Sequence, residues 1–181
     1  MKRGPNMILP KVEIKKILYA TDLSEGARYA FAYAVNLANA YNASITILHV
    51  LFEDQSIDSV AAFYIGKEEW LDIKKRTYEG AREALIGKKR DNVAMEEVLQ
   101  KFTEQAQQES QGEPFVTDEI IVKSGKPEDH IIEQSLQRNC DIIVMGCHGK
   151  GPLVETVIGS TARRVLRRST MPVFVVPLPK E

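Results

Sequence analysis

Short apolar runs alternate along this chain with longer stretches in which apolar residues return every three or four positions. The first run is KILYA, Lys16 to Ala20, and it stops at TDLSEG. Beyond it Ala27, Ala30, Phe31, Ala34, Leu37, Ala38 and Tyr41 recur at helical spacing, which predicts an amphipathic helix ending at Asn42. Asp22 or Ser24 would cap its start, because a side-chain oxygen there satisfies amides that the first turn leaves unpaired. ASITILHV, Ala43 to Val50, is the next β-rich run. Strand, helix and strand in that order predict a right-handed parallel βαβ unit.

The pattern then loosens. Residues 52–66 carry no firm period and read as a loop. Trp70, Ile73, Tyr78, Ala81, Ala84 and Leu85 suggest one helix, and Met95, Val98, Leu99, Phe102 and Ala106 a second, with GKKRDN at 87–92 as a break between them. Regularity returns with DEIIVKSG at 118–125, a strand. Pro127 suits the first turn of a helix that would turn Ile131, Ile132, Ser135 and Leu136 inward and end at Asn139. DIIVMG at 141–146 is the continuous apolar run expected of a strand covered on both faces. STARRVLRRS, from Ser160, reads as a helix, and MPVFVV, from Met171, as the last strand. Strands alternating with helices predict one domain over residues 1–181, an open parallel α/β sheet with helices on both faces and an extended helical or loop segment at about 52–112. In such sheets ligands bind at the carboxyl ends of strands, where the strand order reverses. TD and GCHGKG both stand at such ends.

Composition narrows the classes. With 181 residues, 44% hydrophobic and 27% charged, the chain matches an ordinary globular domain able to bury roughly two thirds of its unfolded surface. A formal charge of −1 provides no general footprint for nucleic acid or membrane, and no apolar run reaches the ~18 residues of a membrane span. MKRGPNMILPKVEI lacks the apolar core of a secretory signal and reads as an extended lead-in, with Met7 a possible alternative start. Cys140 and Cys147 flank one strand and would stand roughly 20 Å apart, beyond disulfide reach, so they read as free thiols. A cytoplasmic location is the expectation.

Candidate chemistry concentrates after the fourth predicted strand. Gly146, Gly149 and Gly151 follow one another closely, and Gly159-Ser160-Thr161 opens the next helix. Glycines let backbone amides approach a ligand without a Cβ, and a helix N-terminus offers unpaired amides and partial positive charge to phosphate. The stretch is neither a P-loop nor a dinucleotide fingerprint, since the residues following the first strand are ATDLSEG. A mobile loop with Ser160 as helix N-cap remains the plain alternative.

The whole spacing, Gly146-x2-Gly149-x9-Gly159-Ser160, matches G-x2-G-x9-G-[ST] and resembles the nucleotide loop of the universal stress protein family. ILYATDLSEGARYAFAYAVNLANAYNASITILHV and SGKPEDHIIEQ…CDIIVMGCHG…PVFVV extend the resemblance over most of the chain outside residues 51–112. It implies a five-stranded parallel α/β fold that binds ATP, AMP or ADP, with Mg²⁺ arriving on the phosphates. By motif position Ala20, Thr21 and Asp22 would line the adenine end, with Asp22 near the exocyclic amine or acting as a cap. Val50 would present backbone groups to the base or simply end its strand. Gly146 and Gly149 would pass the ribose and phosphates, and Gly159, Ser160 and Thr161 would hold the phosphates. His148 would point at them or, as the preferred reading, stand exposed while its amide is used. Ala20 and Leu23 depart from the proline and glycine frequent in relatives. The resemblance also implies a homodimer through the last strand, Pro172 to Val176, which would cover an apolar edge.

Other residues read plainly. His49 and His130 stand at no metal-ligand spacing and are structural or solvated. Arg163, Arg164, Arg167 and Arg168 form either a solvated basic face or a dock for an acidic partner. A flexible Lys150 is more often solvated than on a phosphate, and no general base is evident beside Ser160. The expected function is therefore a dimeric, nucleotide-binding regulatory module, which an unknown protein partner would read. Slow ATP hydrolysis or phosphotransfer, and a scaffold without nucleotide, are the alternatives.

Overall fold

The computed structural model describes residues 11–52, 57–78, 84–109, 114–148 and 158–178. Residues 1–10, with Met7, and Ala81, Gly149, Lys150 and Gly151 lie outside the described residues. Five strands, β1 (Lys16–Thr21), β2 (Ser44–Leu51), β3 (Val116–Ser124), β4 (Ile142–Gly146) and β5 (Val173–Val176), form one sheet in the order β3-β2-β1-β4-β5. Every described pairing is parallel. The helices are α1 (Glu25–Tyr41), α2 (Ile57–Ile65), α3 (Lys67–Tyr78), α4 (Ala84–Glu109), α5 (Pro127–Gln137) and α6 (Ser160–Arg168).

Strand alternation divides the core in two. Ile17, Tyr19, Ile45 and Ile47 face Ala30, Phe31, Val60, Ile73, Met95 and Val98 on one side of the sheet. Leu18, Leu48, Ile143 and Met145 face Ile131, Ala162 and Val165 of α5 and α6 on the other. Going leftward from β1 and then rightward from β3, right-handed crossovers place the first group of helices and the last two on opposite faces. The order reverses between β1 and β4, so the crevice of this sheet opens at their carboxyl ends.

The start of α1 follows its sequence closely. Ser24 is its N-cap, accepting a hydrogen bond from the Ala27 amide at 3.2 Å. Asp22, the other capping candidate, makes a tighter turn instead: its Oδ1 accepts from the Ser24 amide at 3.0 Å. Asn42 ends the helix at φ 53°. Fully buried Tyr19 donates its hydroxyl to the Ala27 carbonyl at 2.6 Å, tying β1 to the first turn of α1.

The middle segment corrects the sequence reading. Residues 57–65, expected as loop, form α2. Its apolar residues lie almost all round, which hides a helical period, yet only Val60 and Ala61 are buried, and Gly66 at φ 89° ends it. GKKRDN is not a break: α4 runs through it without interruption, and Ala84 and Leu85 belong to α4 rather than to α3. A glycine in a helix interior costs only about 1 kcal/mol. Ala94, Met95, Val98, Leu99 and Phe102, each 0–5% exposed, anchor the rest of the helix and outweigh that cost. The α2–α3 pair is tied by Asp58, which accepts from Trp70 Nε1 at 3.0 Å and from Lys74 at 2.8 Å. Lys74 holds the Asp58 carboxyl below its usual range.

α5 is rotated from expectation. Glu128, Ile131, Gln134 and Ser135 are buried, whereas Leu136 is 51% exposed. Leu136 lies a further ~100° around the helix from Ser135, which carries it off the sheet.

Candidate nucleotide site

At the reversal point the ends of β1 and β4 meet the first turn of α1 and the start of α6. Ala20 and Thr21 close β1, and both are buried. The Thr21 hydroxyl accepts from the Leu23 amide at 3.0 Å, so it shapes the turn. Leu23, 1% exposed, takes φ 60°, a strained conformation for a branched side chain. It keeps that conformation because its side chain is held in the face of the core that contains α1. Asp22 follows Thr21 half-buried, its Oδ1 occupied by the Ser24 amide. Val50 lies near the end of β2, one residue past the Thr21–His49 pair, and its buried side chain belongs to the opposite face, among α5 and α6.

Gly146 ends β4 where the backbone of α1 is closest. A Cβ there would stand 3.1 Å from the Gly26 carbonyl and 3.2 Å from the Ala27 amide nitrogen. A Cβ on Gly26 would in turn meet the His148 carbonyl at 3.2 Å. Gly26 was not singled out from sequence, and its signal was only its place in TDLSEG at a predicted helix start. The two glycines together let α1 touch the outgoing loop.

Two hydrogen bonds hold that loop's ends. The Cys147 amide donates to the Val176 carbonyl at 2.7 Å, continuing the β4–β5 pairing, and the Cys147 carbonyl accepts from the Gly159 amide at 2.9 Å. The chain thus leaves at His148 and returns at Gly159 beside its own exit. Gly149 lies outside the described residues. Gly159, not Ser160, is the N-cap of α6, with no side-chain cap bond; Ser160 is the exposed first helical residue and Thr161 is half-buried. The amides of this first turn have no partners within the helix. His148 is half-buried rather than exposed. Ala20, Thr21, Asp22, Gly146, His148, Gly159, Ser160 and Thr161 therefore stand on or beside the adjacent carboxyl ends of β1 and β4, with Val50 one strand away.

The remaining candidates are structural. His49 is 1% exposed, and its Nδ1 lies 2.8 Å from the Thr21 carbonyl; the carbonyl can only accept, so Nδ1 carries the proton. His130 Nε2 donates to the Ser124 carbonyl at 3.2 Å, closing the β3–α5 turn around Gly125 at φ 139°. Among the described residues no group of three His, Cys, Asp or Glu side chains could hold a metal ion, and no helix is long and apolar enough to cross a membrane. Arg164 and Arg168 are not simply solvated: they pair with Glu128 and Asp129 of α5 at 3.2 and 2.5 Å. Arg163 and Arg167 are exposed. A separate groove of about 730 Å³ lies between α1 and α4, lined by Phe31, Phe102 and Phe115 with Arg28 over the Tyr64 ring.

The two thiols differ. Burial pushes Cys140 up to about 11, whereas Cys147 is half-buried in the crevice. A disulfide reagent at pH 7 should therefore titrate Cys147 rapidly and Cys140 only after denaturation. Equal rates for both in the native chain would contradict the packing of Cys140 beneath α5.

A five-stranded parallel sheet ordered 3-2-1-4-5, with a glycine loop returning to a helix N-terminus at its reversal point, defines an α/β protein of the Rossmann-like kind. The model of the universal stress protein family matches residues 13–177, and the chain belongs to that family. Among curated relatives it is 31% identical to universal stress protein MJ0577 of Methanocaldococcus jannaschii over 91% of this chain and 96% of that one. It is 29% identical to universal stress protein YxiE of Bacillus subtilis, over 89% and 97%. Among solved structures MJ0577 superposes with a TM-score of 0.57 at 28% identity, over 94% of this chain and all of that one. UspA from Lactobacillus plantarum gives 0.60 at 20% identity over 92% and 99%. A universal stress protein in complex with cAMP gives 0.53 at 20% identity, over 93% and 100%.

Proposed function

We propose that this universal stress protein is a module that binds an adenine nucleotide, ATP or its AMP or ADP products, at the crevice between β1 and β4. The observation that carries this reading is the convergence of Asp22, Gly146 and the Gly159–Thr161 turn at the point where strand order reverses. Family membership supports it, and one protein of this fold is known in complex with cAMP. In this reading Ala20, Thr21, Asp22 and Val50 frame the base, Gly146, Gly149 and His148 flank the ribose and phosphates, Gly159 lets the backbone approach them, and the amides and hydroxyls of Ser160 and Thr161 take phosphate oxygens. Mg²⁺ comes with the nucleotide, held by phosphate oxygens and water.

Binding rather than turnover is the proposed role. Phosphoryl transfer needs groups that orient a nucleophile and neutralise charge at the γ-phosphate, and Asp22 belongs to the base end. The edge position of β5 supports a homodimer through Pro172 to Val176, since Phe174 is 39% exposed and its ring lies tilted against Tyr33 on that edge strand. In this proposal the dimer works in the cytoplasm, and a protein partner reads its nucleotide state.

Nucleotide released from freshly purified, denatured protein tests the reading by mass spectrometry, with sedimentation of the native chain alongside. Recovered ATP or AMP and a dimeric mass are expected, and a fall in ATP against AMP over hours would add hydrolysis. No recovered nucleotide, together with no thermal shift on adding Mg·ATP, would sink the reading in favour of a scaffold.

A further inference from the structure

Glu128 is an acidic residue only 8% exposed in the first turn of α5, and its side chain, 10% exposed, meets Arg164 of α6 at 3.2 Å. One turn along α6, Arg168 meets Asp129 at 2.5 Å and holds that carboxyl below its usual range. Arg164 and Arg168 are four apart and stack along one edge of α6, while their partners are neighbours in a single turn of α5. Two rungs from consecutive turns of one helix to one turn of another restrict both sliding and rotation. Ala162 and Val165, 2% and 0% exposed, press α6 onto the sheet, but such apolar contact resists sliding weakly.

α5 is itself a fixed strut. At its start His130 Nε2 donates to the Ser124 carbonyl, and at its end Arg138 grips Glu119 of β3 with two bonds of 2.6 and 2.8 Å. The height of α6 is thus referred, through Glu128, to the end of β3. Ser160 stands four residues before Arg164, roughly 6 Å along the axis toward the N-terminus of α6. An ion pair whose arginine is 56% exposed adds little stability alone, because solvent screens its attraction. Fixing a position is what it does well.

We propose that Glu128 and Arg164, backed by Asp129 and Arg168, are positioning residues that set the height of the Gly159–Ala162 turn so that the Ser160 and Thr161 amides meet the phosphates. This rests on the nucleotide reading above. Both carboxylates are engaged by Arg164 and Arg168, so in this proposal they act through α6 and their effect is confined to ligands that carry phosphate.

Calorimetric titration of the full chain with Mg·ATP and, separately, with adenosine tests it on Glu128→Gln, Arg164→Gln, the double variant and Arg164→Lys. Each single glutamine variant should weaken ATP roughly tenfold, the effect of one misaligned charge-assisted bond, while adenosine affinity is unchanged. The double variant should be no worse than either single one, and Arg164→Lys should recover most of the loss. If Glu128→Gln does not fold, Asp129→Asn, on the exposed rung, should give the same ATP-only loss at smaller size. Loss of ATP affinity in Arg164→Gln but not in the carboxylate variants would overturn the proposal in favour of direct phosphate contact by Arg164. Parallel loss of ATP, adenosine and melting temperature would reduce the ladder to a stabilising contact. Full ATP affinity in every variant would end it, and a wild-type chain that binds neither ligand would remove the nucleotide reading and this proposal together.

Discussion

Gly159→Val should abolish nucleotide binding while leaving the sheet intact. Gly159 sits at φ −54°, which any residue can adopt, so backbone conformation is not what requires glycine here. Space is. A Cβ would stand 2.9 Å from the Cys147 carbonyl oxygen, the same atom that accepts the Gly159 amide and closes the loop. Backbone on both sides leaves nothing soft to yield, and the branched side chain would wedge α6 away from β4. Spacing alone suggests that a Cβ blocks the phosphate; the structure shows that it first breaks the loop's own closure. Losing two amide contacts to phosphate, at about 1.5–3 kcal/mol each, means a loss of roughly 100-fold or more in affinity. Calorimetry with Mg·ATP reads the loss, and circular dichroism checks that helix content survives. A valine variant that binds like wild type would show that the Gly159 turn is not the phosphate site. Gly149→Val carries the same expectation from the motif alone.

The largest effect on stability is expected at Phe31. Its ring lies 4.8 Å from Tyr19, 4.8 Å from Phe102 and 5.4 Å from Phe115, joining β1, α1, α4 and the lead into β3. Phe31→Ala would leave a cavity where four elements meet and cost about 3–5 kcal/mol. For a domain of this size that lowers the melting temperature by roughly 6–20 °C. Phe102→Ala should be comparable, and the double variant should cost less than the sum because the rings share one contact. A drop of only a degree or two in Phe31→Ala would mean that α4 does not depend on α1 for its anchorage. Tyr64→Ala, at the rim of the same cluster beside Arg28, should cost less, since Tyr64 is only half-buried.

Much of this molecule was legible in the order of its residues. The outer parts of the chain carry strong periods, and β1, α1, β2, β3, α5, β4, α6 and β5 all stand within a few residues of their predicted places. A Gly-x2-Gly-x9-Gly-Ser spacing is read within one short stretch of the chain, so the family was legible too. The middle was not. α2 is short and apolar almost all round, which leaves no clear face to recognise, and Gly87, Asp91 and Asn92 inside α4 run against helix propensity locally while packing further along holds the helix. Propensity differences near 1 kcal/mol per residue cannot compete with five buried side chains.

The sequence by itself determined the element order, the glycine spacing and the family, because each depends on residues close together in the chain. Tertiary structure decided which groups became partners over long separations. It set Gly26 against His148, paired Glu128 and Asp129 with Arg164 and Arg168, and turned Leu136 outward while burying Glu128. Those contacts span tens to more than a hundred residues. Only the stacking of α5 and α6 on one face of a sheet ordered 3-2-1-4-5, with α1 on the other, brings them within bonding distance.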